Sequence, residues 1–130
     1  MTVPEDDVPA HVRHFVDEYL DTVPQLETLL MMRDAGERAW LISEVAARNY
    51  ITDQRAAETL QALCRRGLVV AEASPLCYRF NPQTDDLRTL IAELARCYQT
   101  SLFRITTLIH SKPSASVKEF ARAFNLKKDR

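Results

Sequence analysis

Residues 41 to 80, LISEVAARNYITDQRAAETLQALCRRGLVVAEASPLCYRF, decide the fold. Ser43 stands where an N-cap is needed, because its hydroxyl can accept from the free N–H groups of a first helical turn. Val45 and Ala46 then open a short apolar face. The pattern stalls at Asn49-Tyr50-Ile51, and Thr52 offers a second N-cap with Asp53 beside it, favourable for the helix dipole. From there Ala56, Leu60, Leu63 and Cys64 recur at steps of three and four, the mark of a one-faced helix. Gly67 follows Arg65-Arg66, where a left-handed residue ends a helix. Leu68-Val69-Val70 and Leu76-Cys77-Tyr78-Arg79-Phe80 flank Ser74-Pro75, which predicts two strands folded back on each other.

These residues resemble the winged helix-turn-helix domain of bacterial transcription regulators of the MarR and PadR type. In that pattern an apolar residue and an alanine open one helix, a second helix follows a turn, and Leu-x-x-Arg/Lys-Gly-Leu-Val leads into a wing. Here it stands as Val45-Ala46-Ala47-Arg48, the helix from Thr52, and Leu63-Cys64-Arg65-Arg66-Gly67-Leu68-Val69. The resemblance implies a homodimeric, DNA-binding regulator that reads the major groove with the helix at 52–66 and the backbone with the wing at 68–80. Winged helices also serve as protein-binding modules, so a second protein is the alternative partner. Two positions depart from the pattern. Glu58 stands where a basic or hydroxyl side chain is common, and Asn49-Tyr50 replaces a usual Leu-Gly turn.

The flanks extend this core. Val12, Phe15, Val16, Tyr19 and Leu20 form an amphipathic helix after Pro9. A second helix begins near Thr22-Val23-Pro24, since proline suits a first turn, and carries Leu26, Leu29 and Leu30 to an end at Gly36. Arg38-Ala39-Trp40-Leu41 reads as a third strand that pairs with the wing. Beyond Asn81-Pro82, Thr84 or Asp85 caps a helix with Leu87, Leu90, Ile91, Leu94, Tyr98, Leu102, Ile105, Leu108 and Ile109 on its apolar side. Unbroken over about 24 residues within 84–110, it measures roughly 36 Å, longer than one small winged domain covers. Leu87, Leu90, Ile91, Leu94, Tyr98, Leu102, Ile105 and Leu108 are therefore the expected dimer interface. The expected fold is mainly α (α+β). It comprises an acidic N-terminal helical arm (1–22), the winged helix-turn-helix (23–83), the long dimerisation helix (84–110) and a basic amphipathic C-terminal segment (111–130).

Charge is unevenly spread over a net −1. Residues 1–37 hold nine acidic and two basic side chains, residues 38–110 seven acidic and nine basic, and residues 111–130 two acidic and six basic. Nucleic-acid binders draw most of their affinity from phosphate neutralisation, and here the middle of the chain is only mildly basic. On a helix starting at Thr52, the early outward positions include Gln54, Arg55 and Glu58; glutamine can pair with adenine and arginine with guanine, whereas an acid repels phosphate. Arg48, Thr52 and Arg65 fit phosphates, and Arg79 on the wing fits the neighbouring groove.

Other function classes find little support. No apolar run nears the ~20 residues that span a bilayer, and the N-terminus shows no signal-peptide pattern, so a cytoplasmic protein without membrane contact is expected. Cys64, Cys77 and Cys97 lack the spacing of a metal site and read as reduced thiols. His11 and His14 share a face with Asp17 or Glu18, yet no third strong ligand follows, so neither metal nor cofactor is assigned. No phosphate loop, nucleophile elbow or Cys/His pair marks an enzyme. Trp40, Phe103 and Tyr98 suit an effector pocket, although aromatic residues at such spacing more often build a core.

Overall fold

A computed structural model describes residues 8–111. The expected basic segment with Val117, Phe120, Ala121, Phe124 and Leu126, and the acidic cluster Glu5-Asp6-Asp7, lie outside the described residues.

The chain runs α1 (Ala10–Tyr19), α2 (Val23–Asp34), β1 (Ala39–Leu41), α3 (Ile42–Asn49), α4 (Asp53–Arg65), β2 (Val69–Glu72), β3 (Cys77–Phe80), α5 (Asp85–Thr100) and α6 (Leu102–His110). The three strands form one antiparallel sheet in the order β1-β3-β2, with Trp40 opposite Tyr78 and Val70 opposite Arg79. The strand expected at 38–41 is observed at 39–41 and pairs with the wing. The architecture is a small winged helix with helices added at both ends.

Caps set the element boundaries. Thr22 Oγ1 accepts from the Gln25 N–H at 3.1 Å, while the Gln25 side chain accepts from the Asp21 N–H at 2.8 Å. Two free donors at the start of α2 are thereby satisfied. Thr52 caps α4 by accepting from Arg55 N, and Thr84 caps α5 by accepting from Leu87 N, both at 3.1 Å. Ser43 is not a cap: α3 begins one residue earlier, at Ile42, and the Glu44 carboxylate takes the Leu41 N–H at 2.8 Å. Gly67, at φ +77°, ends α4, with Leu68 N–H reaching back to the Leu63 carbonyl at 3.0 Å. That is a Schellman closure, and a side chain at this φ would be strained.

The core is continuous from α1 to α6. Leu26, Leu29 and Met32 of α2, Val45 of α3, and Leu60 and Leu63 of α4 are essentially inaccessible, as are Ile91 and Leu94 of α5. Burying a Leu or Ile side chain stabilises by about 1.5–3 kcal/mol, so these positions hold the helices together. The N-terminal arm is part of this core: Val12, Phe15, Val16 and Leu20 are buried against α5 and α6.

The unbroken helix expected over 84–110 is two helices. Ser101 leaves helical geometry at φ −137°, ψ 46° and separates α5 from α6. Thr100 Oγ1 donates back to the Arg96 and Cys97 carbonyls, local bonding of the kind that competes with a regular helix. The break has a packing reason. A straight rod passes α1 once, whereas the broken pair covers it with both α5 and α6 and brings Ile105 and Ile109 into the core.

Candidate nucleic-acid interface

The α4 stripe sorts the helix into two faces. Ala56, Thr59, Leu60 and Leu63 are buried against the domain, while Asp53, Gln54, Arg55, Glu58, Gln61 and Arg65 are exposed. Thr52 and Arg48 are also exposed, so six of the seven expected contact residues are open to solvent on α3, on α4 or at the turn between them. Glu58 accepts weakly from Gln54 Nε2 at 3.4 Å, tying two of these side chains to each other. Among the described residues Arg48, Arg55 and Arg65 have no carboxylate partner. Set against Asp53 and Glu58, the face is weakly cationic.

Arg79 is placed differently. It is half-buried at the root of the wing, where its guanidinium meets Glu72 at 2.9 Å and donates to the Glu37 carbonyl at 2.7 Å. These contacts, the Glu72 hydrogen bond foremost, raise the Arg79 pKa further, and Arg79 in turn holds the Glu72 carboxyl below its ordinary range. The wing tip itself, Ala73-Ser74-Pro75-Leu76, is exposed and carries no cation. Arg66 likewise turns inward, pairing with Asp21 at 3.0 Å and the Glu18 carbonyl, which fastens the end of α4 to the segment after α1.

The turn between α3 and α4 holds a feature the sequence pattern left open. Asn49 turns inward and donates to Thr28 Oγ1 at 2.9 Å, joining α3 to α2. Tyr50 takes the left-handed conformation, φ 57° and ψ 44°, where the family pattern has glycine. For a residue with a Cβ this costs about 1–2 kcal/mol. Its side chain is 95% exposed. The left-handed requirement is legible from the Leu-Gly position that Asn49-Tyr50 occupies; the exposure is not.

An open cleft of about 690 Å³ lies between α2, the end of α3 and α5, bordered by Glu27, Met31, Arg48 and Tyr98. Trp40 forms part of its wall, 2% exposed, with its indole N–H lacking a protein partner and Arg38 stacked on its ring at 3.6 Å. Of the three aromatics expected around a pocket, Trp40 and Tyr98 meet here. Phe103 does not: it stands 81% exposed on α6. Burial, then Glu27, raises the Tyr98 pKa, so its phenol is held neutral. Cys97 is raised by burial too, which suits an unreactive thiol.

The expected dimer residues divide in the same way. Leu87, Ile91, Leu94 and Ile105 are buried inside their own protomer. Leu90, Tyr98 and Leu108 are half-exposed and Leu102 is exposed, beside Phe103. No group of three or more metal-ligating side chains occurs among the described residues, and none of their helices is long and apolar enough to cross a membrane.

A two-layer arrangement of an exposed polar helix, braced by its predecessor and trailed by a three-stranded wing, defines a winged helix-turn-helix protein. The fold is similar to that of MarR-type winged helices. The fold matches a MarR family protein from Bacillus stearothermophilus at a TM-score of 0.52 and 17% identity, over 92% of this chain and 81% of that one. It also matches a Mycobacterium tuberculosis protein at 0.50 and 19%, over 93% and 82%. No protein-family model and no curated protein sequence matches the chain.

Proposed function

We propose that this protein is a cytoplasmic, homodimeric DNA-binding transcription regulator, not an enzyme, that presents α4 to the major groove. The observation that carries this reading is the exposure of Thr52, Gln54, Arg55, Glu58 and Arg65 on a helix whose other side is locked into the core. Gln54 and Arg55 lie near the helix start, where base edges are reached, and their chemistry suits adenine and guanine. Arg48, Thr52 and Arg65 flank them as phosphate contacts. Arg79 braces the wing that accompanies them. A pair of protomers joins through Leu90, Tyr98, Leu102, Phe103 and Leu108, the apolar side chains of α5 and α6 left outside the core. The MarR-like fold supports the same class.

Fluorescence anisotropy with a mixed-sequence duplex tests it. Arg48 and Arg65 from two protomers make four phosphate contacts, so affinity should fall roughly a hundredfold between 50 and 200 mM salt. Absence of binding at low salt removes the proposal.

One observation favours a second reading, a winged-helix module for a protein partner. The wing tip lacks a cation and exposes Leu76, an apolar contact that a duplex does not use well. The same titration separates the two.

A further inference from the structure

We infer that Arg66 is a positioning residue: it sets the angle of α4 against α1, α5 and α6, and so the spacing of the two half-sites that a pair of protomers reads on duplex DNA. This role rests on the homodimeric DNA-binding reading and deepens it. Arg65 and Arg66 stand side by side at the end of α4 and part company. Arg65 is exposed, whereas Arg66 is half-buried and reaches the joint between α1 and α2. Its Nη2 meets Asp21 Oδ2 at 3.0 Å, and its Nη1 donates to the Glu18 carbonyl. Glu18 lies in the last turn of α1, where carbonyls find no donor within the helix and the dipole favours a cation. The guanidinium thus holds two points at once, a rigid fork that lysine does not supply.

The place of this tie in the fold gives it leverage. α4 packs against α2, α3 and β2, while α1 packs against α5 and α6. Among the described residues no side chain within α4 itself forms a hydrogen bond or ion pair with α1, α5 or α6. The side chains proposed to pair the protomers lie on α5 and α6, so Arg66 stands between the reading helix and the frame that fixes its twin. α4 has 13 residues, with Gln54 and Arg55 at the end away from Arg66. At 1.5 Å per residue it is roughly 20 Å long, and a rotation of about 10° at the Arg66 end moves the far end by about 3.4 Å, one base-pair step. The two half-sites of a dimer sit about one helical turn apart, so an error of that size spoils the fit of the second protomer.

The test starts from duplexes that the wild-type protein enriches out of a randomised library, which should converge on an inverted repeat. Anisotropy then compares that duplex with versions carrying one base pair more or fewer between the half-sites, and thermal unfolding is followed alongside. The wild type should prefer the selected spacing roughly tenfold. Arg66→Ala, Arg66→Lys and Asp21→Ala should each cut that preference to about twofold with little change in melting temperature, because a half-exposed ion pair adds little stability. The salt slope on any one duplex should stay at the wild-type value in Arg66→Ala, since the guanidinium is engaged with Asp21 and not with a phosphate. Arg66→Lys and Asp21→Ala keep the comparison decisive if Arg66→Ala does not fold. An intact spacing preference in the variants overturns the inference. A slope lowered by about one in Arg66→Ala, with tighter binding in Asp21→Ala, would do so by making Arg66 a phosphate contact. Enrichment of single half-sites by the wild type also overturns it and leaves the DNA-binding reading standing. Failure of the wild type to enrich any duplex sinks both.

Discussion

Arg79 on β3 and Glu72 on β2 meet across the wing at 2.9 Å, and the same guanidinium donates to the Glu37 carbonyl just before β1. One side chain of the central strand therefore ties the outer strand β2 to the loop that leads from α2 into β1. Arg79→Ala should lower the melting temperature and loosen the wing, visible as faster amide exchange in β2. Its DNA affinity should drop less than that of Arg48→Ala. An unchanged melting temperature with a larger affinity loss would move Arg79 from brace to contact.

Acid should act on the same tie. The Glu72 carboxyl is held low chiefly by its hydrogen bond from Arg79, and the Glu44 carboxyl by the Leu41 N–H, with Arg38 adding to it. Both folded values lie below the unfolded ones. The stability they contribute is present above the ordinary glutamate range and is lost as pH falls through the folded values. Glu72→Gln and Glu44→Gln should each flatten the acid limb of a melting-temperature profile while changing little near neutrality beyond a constant offset. An acid limb of unchanged steepness in the double variant would place the acid-sensitive groups elsewhere.

Two substitutions on α4 separate its packing from its cap. Leu60 is fully buried, so Leu60→Ala should cost about 2–5 kcal/mol in urea denaturation. Thr52→Ala removes the cap on Arg55 N and should cost about 1 kcal/mol, with Thr52→Ser recovering most of it. Equal losses in the two alanine variants would contradict a helix held mainly by its apolar face.

The charged face of α4 makes opposite predictions for its two signs. Arg55→Ala should reduce discrimination between duplexes by about 1–3 kcal/mol if it reads a guanine. Glu58→Gln removes an exposed acid from the face proposed to meet DNA and should tighten binding to every duplex, most at low salt. Weaker binding by Glu58→Gln would instead assign the carboxylate a favourable contact, such as accepting from a cytosine amine.

For the pairing of protomers, light scattering should return about twice the 14.9 kDa chain mass. Phe103→Glu places a charge on the exposed part of α6 and should shift the population to monomer without a large change in helicity, since Phe103 is outside the core. A wild-type monomer at tens of micromolar counts directly against the dimer.

Much of the wing and α4 was legible because short-range rules govern them. The steps among Ala56, Leu60 and Leu63, the Thr52 cap and the left-handed stop at Gly67 are local properties of the chain. The exposure of Gln54, Arg55, Glu58 and Arg65 follows from the same stripe, since they lie off its apolar side. What was not legible lay in particular side-chain contacts, one distant in sequence and one local. Arg79 is held by Glu37, more than forty residues earlier. Ser43 lost the cap to Glu44, whose carboxylate reaches back to Leu41 while Arg38 steadies it.

The helix around 84–110 shows the division most sharply. Its apolar period and the absence of proline and glycine determined that these residues would be helical, and both α5 and α6 are. Where the helix breaks was decided by tertiary structure, because α1 meets both α5 and α6, and beyond the break at Ser101 Ile105 and Ile109 are buried in the core. Periodicity within one segment records which side of a helix is apolar. Only the assembled chain determines which surface that side meets, since the energy of burial belongs to the pair of surfaces.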